Sequence, residues 1–481
     1  MKKLFLISSI LIFTCFTSIF LFAQHKDFST SLIKNSIEKF VHNIPIIKKN
    51  TNLLKDVSVK QQRKHEGLMR YFLDNYTDYT IDIYDLPFSN YYIGQDKPTG
   101  YVEQYDNRFI LASGNGKFNY FNKSEIKNNS LFLTEIETNI KNLINDNLFY
   151  TFGSRSIKDI KIINDYLYVT YTKEVEESCY NISVIRAKFN FDYLQFNEVF
   201  SPIECHKDNY RKQSGGRIHS FKENKIIISV GVFDNNKSAQ KIDNMFGKII
   251  SFIPNNNDYE ILSLGHRNPQ GLFYDFNDDV IINTEHQALG GDEINVNSSP
   301  NSETIKNYGW PISSYGEHYG RKQIEDEPLF NNHKKHGFLE PIKYFEIAIG
   351  ISQIIKVKNE NSPNKNEFII ASMGHGVNEG GDMSLHKLTF DNKYSTVLNH
   401  EIIPIGERIR DIEQINNTED FIMVLESIPA VAILKKKNYT CDKLQPPCNL
   451  DQTYERTIYD QNNDRNNVRE NYYNLLPKKN N

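Results

Sequence analysis

An excess of charge of either sign is missing from this sequence: 56 Lys+Arg face 60 Asp+Glu over 481 residues, a formal net charge of −4. Without a cationic surplus nothing global draws the chain to a phosphate backbone, which removes the simplest case for a nucleic-acid partner, and none is expected. Tryptophan is almost absent, with one residue, while 28 Tyr and 31 Phe supply core material. Cysteine is scarce, and its five residues lack the repeated short spacings and His partners of a zinc site. Long apolar runs are lacking too, with one exception: Leu4 to Ala23, just after Met1-Lys2-Lys3. A basic start followed by an apolar stretch is an export signal, yet this run approaches the ~20 residues that span a bilayer. Residues 1–23 therefore read as a signal peptide or a membrane anchor. Either way the chain is expected to be exported, periplasmic or anchored facing the periplasm.

Cys15 lies inside that run, which leaves Cys179, Cys205, Cys441 and Cys448. An even number in an exported chain fits two disulfides, Cys179–Cys205 and Cys441–Cys448. Asparagine is over-used, at 56 residues, so Asn-rich stretches carry no functional weight.

Residues 24–95 are the least patterned and read as a partly helical N-terminal extension, with NSIEKFVHNI and HEGLMRYFLDNY as short amphipathic segments. From residue 96 onward, runs rich in Ile, Val, Tyr and Phe recur in pairs around turn residues. The turns fall at Gly114-Asn115-Gly116, Asn164-Asp165, Glu223-Asn224, Asn277-Asp278 and Asn416-Asn417. Those near 165, 224 and 277 lie ~50–60 residues apart, the spacing of four-stranded propeller blades. The expected fold is all-β over 96–450, a propeller in preference to a sandwich array. The irregular stretch at 286–345 suits loops on a propeller face, and 451–481 reads as a polar tail.

The segment from Gly265 to Pro311 carries the most information: Gly265, Arg267 to Gly271, Thr284 to His286, Gly290 to Glu293 and Asn307 to Pro311. This compound pattern resembles the glucose/sorbosone dehydrogenase family, soluble sugar dehydrogenases that use pyrroloquinoline quinone (PQQ) and calcium. The resemblance runs from about residue 100 to 435 and implies a six-bladed propeller. It also implies oxidation of the C1 hydroxyl of an aldose, a small-molecule sugar, with an electron acceptor that remains open.

The residues themselves suit that chemistry. Arg267 and Asn268 precede Pro269, so they occupy an extended or turn segment, where a guanidinium fork and an amide can meet carboxylate or quinone oxygens. The plainer alternative is that Arg267 pins a loop. Arg408 and Arg410, in Arg408-Ile409-Arg410-Asp411, share one strand face by alternation. The resemblance implies that Arg267, Asn268, Arg408 and Arg410 hold the cofactor, a tricarboxylate. Asp292 and Glu293, adjacent on a Gly-flanked loop, are hard oxygen donors suited to Ca²⁺. The resemblance joins them to the carbonyl of Tyr308 in one calcium site. It assigns the carbonyls at Gln287 and Ala288, where the family has Gly-Pro, to the cofactor's calcium.

The pattern breaks where catalysis is expected. The family's base is a His before G-G-R, and Gln213 holds that position in Gln213-Ser214-Gly215-Gly216-Arg217. An amide does not titrate near neutral pH and cannot serve as a general base. A Lys found in some members after a later strand is also missing, since FIIASMGHG offers Gly374 or His375. His375, His286 and His206 are the candidates to replace the base. Three functions therefore compete: a PQQ- and calcium-dependent dehydrogenase with a rearranged base, a non-catalytic sugar- or protein-binding propeller, and another propeller enzyme such as a lactonase. The last would need a calcium-binding carboxylate cluster of its own, which the sequence does not display.

Overall fold

Apolar runs such as Ile226–Val230, buried along their whole length, cannot serve as surface strands and must be covered on both faces. The protein satisfies this by stacking sheets side by side. The computed structural model describes residues 77–86, 99–128, 131–145, 156–207, 213–321, 323–358, 366–374, 382–416, 418–427 and 429–437, with short stretches at 56–59, 62–63, 73 and 149. The expected signal or anchor, the helical segments of the extension, the Cys441–Cys448 loop, His375 and the C-terminal tail lie wholly or almost wholly outside these residues. The described architecture falls within one compact unit, Ser58–Asn481.

Six antiparallel sheets form the blades of a propeller. Blade one holds Gly100–Tyr105, Arg108–Ser113, Phe118–Asn122 and Leu131–Thr138. Blade two holds Ile157–Ile163, Tyr166–Glu176, Cys179–Lys188 and Asn197–Phe200. Blade three holds Gly215–Ser220, Ile226–Val230, Lys248–Phe252 and Tyr259–Leu264. Blade four holds Pro269–Asp275, Val280–Glu285, Asp292–Asn297 and Lys343–Phe345. Blade five holds Ile351–Lys356, Asn366–Ser372, Ser384–Phe390 and Val397–Pro404. Blade six holds Ile409–Gln414, Phe421–Leu425 and Ala430–Lys436. Its fourth strand comes from the other end of the chain: Tyr79–Asp85 pairs antiparallel with Ala430–Lys436, from Lys436 opposite Tyr79 to Ala430 opposite Asp85.

Two boundaries differ from the sequence pattern. The propeller takes in Tyr79–Asp85, inside the stretch read as an extension; its nearby antiparallel partner, Gln62–Arg63, is only two residues long, and its full-length partner lies at the other end of the chain. The segment 286–345 is not wholly loop, since Asp292–Asn297 and Lys343–Phe345 are strands of blade four. The five expected turns do connect paired strands. At Asn164 and Asp165 both residues adopt positive φ, 49° and 64°, the left-handed pair a tight hairpin needs.

Each blade interface has its own apolar cluster. Between blades two and three it includes Ile182, Val184, Phe200, Ile228, Val230 and Phe252, with Phe200 stacked on Phe252 at 4.2 Å. Between five and six it includes Ile369, Leu385, Ile403, Ile81, Ile83 and Met423. Fully burying such side chains contributes ~1.5–3 kcal/mol apiece, so the closing strand carries a share of the core in addition to its ladder bonds. A disulfide joins Cys179 to Cys205, linking the third strand of blade two to the segment that leaves it.

Near the axis the fold is polar. Arg217 Nη1 lies 3.0 Å from Asp159 and 2.8 Å from Asp411, while Nε and Nη2 donate to the carbonyls of Gln270 and Arg410 at 2.6 and 2.7 Å. Asp159 also accepts from the Ile218 amide and Asp411 from the Val102 amide. One buried guanidinium thus links the inner strands of blades two, three, four and six, and Asp411 extends the link to blade one. Burial pushes the Asp159 carboxyl up to about 7 against the pull of Arg217.

Candidate functional site

The inner strands begin at a common end of the axis, and the sequence motifs lie at those beginnings. Gln213 to Arg217 lead into Gly215–Ser220, the turn from Gly265 leads into Pro269–Asp275, and Arg408 precedes Ile409–Gln414. Hydrogen bonds join them. Asn268 Oδ1 accepts from the Gly215 amide at 3.1 Å and from Gln270 Nε2 at 3.0 Å. Gln270 Oε1 accepts from Arg410 Nη1 at 2.9 Å. Arg410 Nε donates to Glu426 Oε1 at 2.6 Å, and Arg408 Nη2 lies 3.4 Å from Glu426 Oε2. Arg408 Nη1 then donates to the carbonyls of Met373 and Gly374 at 2.9 and 2.8 Å. Asn268, Arg408 and Arg410 therefore stand in one network, and the two arginines share one carboxylate, as alternation requires. Burial alone would push the Glu426 carboxyl up, but the guanidinia of Arg410 and Arg408 bring it below its usual value.

Arg267 is placed differently. Its Nη1 donates to the carbonyls of His286 and Gln287 at 2.9 and 2.6 Å, and its guanidinium lies 5.3 Å from the Trp310 ring centre and 5.8 Å from that of Tyr319. It does pin a loop. The turn carrying it is fixed by buried Glu285, which accepts from the amides of Arg267 and Asn268 and meets His266 Nδ1 at 2.8 Å.

Gln213 sits in the left-handed region, φ 58°, and its carbonyl accepts from the Phe233 amide at 3.1 Å. A Cβ on Gly231 would come within 2.0 Å of that carbonyl oxygen, so glycine is required there. Among the described residues, the side-chain oxygens of Gln213 and Gln287 and the Nε of Arg408 are buried without hydrogen-bond partners. Such groups cost ~1–3 kcal/mol each when unmet; these three sit on motif-bearing segments of blades three, four and six, and His286 Nδ1, Glu293 Oε1 and His333 Nε2 are unmet in the same way.

The candidate histidines separate clearly. His286 is half-buried, its amide donates to the Asn268 carbonyl at 3.1 Å, and its Nδ1 lies 3.3 Å from Asp292 Oδ1. His206 Nε2 meets Ser238 Oγ at 2.8 Å and its ring lies on Phe246, beside the disulfide and outside the network.

The acidic pair opens a strand and does not sit on a loop, so alternation sends its side chains to opposite faces. Asp292 accepts from the amides of Gln287, Ile349 and Ile351 at 3.0, 3.0 and 3.1 Å. Burial would raise its carboxyl, but His286 and these amides hold it below its usual value. Glu293 faces His333, whose Nε2 lies 3.2 Å from Glu293 Oε1 and whose Nδ1 lies 2.9 Å from the Tyr308 carbonyl. Burial pushes the Glu293 carboxyl up. Burial works against a charge on His333 too, but Glu293 more than offsets it and raises the imidazole. Glu293 and the Tyr308 carbonyl thus both face the His333 ring, while Asp292 is held by three amides on the other side of the strand. Gln287 gives its carbonyl to Arg267, and Ala288 packs with Val232, Ala239 and Trp310.

Sequence reasoning passed over Gln270, Glu285, Glu426 and His333. Gln270 lay inside the matched turn and Glu426 at the end of an otherwise apolar strand, signals that were present. Nothing local marks His333, since its role depends on partners 25 and 40 residues away. A cavity of about 730 Å³ lies at the opposite end of the axis, lined by Lys161, His219, Phe273, Lys356 and Glu413 among others, and none of the expected site residues reaches it.

Residues 159–434 match the family described as Glucose / Sorbosone dehydrogenase. An uncharacterized protein of Synechocystis sp. is 26% identical over 276 residues, covering 52% of this chain and 62% of that protein. The aldose sugar dehydrogenase YliI of Escherichia coli is 27% identical over 239 residues, covering 46% of this chain and 59% of its own length. The chain thus spans about three fifths of these relatives. The structure of the soluble aldose sugar dehydrogenase from Escherichia coli superposes with a TM-score of 0.56 at 16% identity, over 74% of this chain and all of that one, a likeness of fold. By the extent of the matched segment, the chain belongs to the glucose/sorbosone dehydrogenase family.

Proposed function

We propose that this chain is an exported quinone-dependent dehydrogenase that takes PQQ at the Asn268–Gln270–Arg410–Arg408 network and oxidises the C1 hydroxyl of an aldose. The observation that carries this reading is the set of buried unmet polar atoms on the motif-bearing segments, Gln213 Oε1, Gln287 Oε1 and Arg408 Nε, together with the Arg408–Glu426–Arg410–Gln270 network. A small anionic, carbonyl-rich ligand fits that donor set. When bound, PQQ supplies the hydride-accepting chemistry, and the protein's part is binding, orientation and proton transfer. Arg408 and Arg410 would hold carboxylates, Asn268 and Gln270 would orient the ligand, and Arg267 would keep the loop 286–287 in place. A calcium ion accompanying the quinone would draw on the carbonyls of Gln287 and Ala288, and at Gln287 it would compete with Arg267.

The proton of the sugar hydroxyl needs an acceptor, and Gln213 is not one. His286 is the described imidazole best placed for it, half-buried beside Asn268 with a buried carboxylate at its Nδ1. The carboxylate there faces the ring at ion-pair distance. The second reading is a propeller that binds a sugar or a protein without turnover, and the amide at 213 favours it.

Calorimetry with PQQ, followed by dye reduction with aldoses, separates these readings. Binding with turnover that falls at least ~100-fold in His286→Asn supports the enzyme. Binding without turnover, restored in part by Gln213→His, supports a chain that has lost its base. Absence of PQQ binding refutes the cofactor assignment.

A further inference from the structure

His333 opens a short helical turn, His333–His336, at the far end of the long loop of blade four. Its side chain is fully buried, and each ring nitrogen faces an oxygen, Nδ1 in a hydrogen bond and Nε2 at ion-pair distance. Nδ1 lies 2.9 Å from the Tyr308 carbonyl and Nε2 lies 3.2 Å from Glu293 Oε1. The ring of Tyr315 lies against it at 5.1 Å between centres, and its own carbonyl accepts from the Phe338 amide at 3.0 Å. A Cβ on Gly309 would come within 3.0 Å of Nδ1. The glycine of the Tyr308-Gly309-Trp310 turn is what lets the ring approach so closely.

These two oxygens are the donors that, with Asp292, the sequence motif suggests for calcium. A calcium ion draws six to eight oxygens to within ~2.3–2.6 Å. Here a whole imidazole stands between the carboxylate and the carbonyl, and Asp292 faces away, holding three amides. The donor set does not fit the ion.

We propose that His333 is a built-in replacement for that metal: its imidazole ties strand Asp292–Asn297 to the Tyr308 turn, and the Glu293–Tyr308 site takes no calcium. The linkage a bound cation would supply comes from a side chain of the loop itself. The inference concerns the loop's architecture and holds whether or not the quinone site is occupied.

The test uses the full chain without PQQ. Thermal unfolding of the wild type in calcium and in chelator is expected to show no shift that depends on Glu293, judged against Glu293→Gln. His333→Ala is expected to melt at least ~3 °C lower. With the ring gone and the carboxylate facing the carbonyl, calcium is expected to raise that midpoint, and His333→Ala/Glu293→Gln to lose the response. A wild-type calcium stabilisation abolished by Glu293→Gln would overturn the proposal, as would an unchanged melting point in His333→Ala. If His333→Ala does not fold, terbium luminescence sensitised by nearby aromatics decides the matter on the wild type. A Glu293-dependent signal refutes the proposal, and its absence supports it. Calcium held at the Gln287 and Ala288 carbonyls would survive Glu293→Gln and is thereby distinguished.

Discussion

Replacing Arg217 by Met keeps a flexible apolar stem near the axis and removes only the guanidinium. Four acceptors on other blades then lose a donor: Asp159, Asp411, and the carbonyls of Gln270 and Arg410. Removing one partner of a buried ion pair costs about 3–5 kcal/mol, and each carbonyl left unmet adds about 1–3 kcal/mol. Asp159 and Asp411 keep their amide donors from Ile218 and Val102, and admitted water offsets part of the rest, so a loss of about 4–6 kcal/mol is expected. With ~2.1 cal/mol/K of unfolding entropy per residue, a propeller of roughly 350 residues would melt about 5–8 °C lower. The assay is heat and urea unfolding at pH 7, repeated in an Asp159→Asn/Asp411→Asn background, where the same replacement should cost under about 2 kcal/mol. The sign with pH is also fixed. Asp159 already has a raised carboxyl, so its contribution is full in acid and is lost as pH rises through about 7. Without Arg217 the two carboxyls rise further, and the penalty should shrink toward pH 5. A loss below about 1 kcal/mol, or equal losses in both backgrounds, would refute the reasoning.

Removing the disulfide by Cys179→Ser and Cys205→Ser frees a loop with a sequence separation of 26. Loop-closure entropy sets an upper bound of about 3.5 kcal/mol on the cost, and an unchanged urea midpoint would contradict it. Burial, and then Lys161, lower the pKa of His219 to about 4. The unfolded chain therefore takes up a proton below about 6.5 while the folded chain does not. His219 thus contributes a loss of stability as pH falls from 6.5 to 4, and His219→Gln should flatten that limb by about 1–2 kcal/mol; parallel curves would sink the assignment. Arg410→Lys keeps the charge but cannot reach both Gln270 and Glu426 as a fork does. PQQ affinity is expected to fall at least ~10-fold, read from the quinone absorbance, with little change in melting point.

The fold was largely legible because hairpins are local. Asn164-Asp165 and Glu223-Asn224 lie between the strands they join, and the run 226–230 declares its own burial. The closing strand Tyr79–Asp85 was not legible, since its near partner is only the two-residue Gln62–Arg63 and its full-length partner lies across nearly the whole chain. At the candidate site, the family resemblance singled out Asn268, Arg408 and Arg410, which the fold joins through Gln270 and Glu426. Arg267 was equally visible, but a guanidinium suits backbone carbonyls as well as a ligand, and only the fold decides between them. The acidic pair reads differently in the sequence and in the fold. Two adjacent carboxylates look convergent in a sequence, while the strand they open points them apart. His333 could not be found without knowing that residues 293, 308 and 333 meet.

The pairing of Tyr79–Asp85 with Ala430–Lys436 has a consequence for biosynthesis. Tyr79 and Lys436 are 357 positions apart, so at ~5–20 residues per second the first strand waits roughly 20–70 s for its partner to be made. During that time one ladder edge is unpaired and half of the interface core around Ile81 and Ile83 is uncovered, the condition that favours mispairing with other chains. The ring cannot close until synthesis is nearly complete. A holdase that shields YTIDIYD would protect the one strand whose neighbour arrives last.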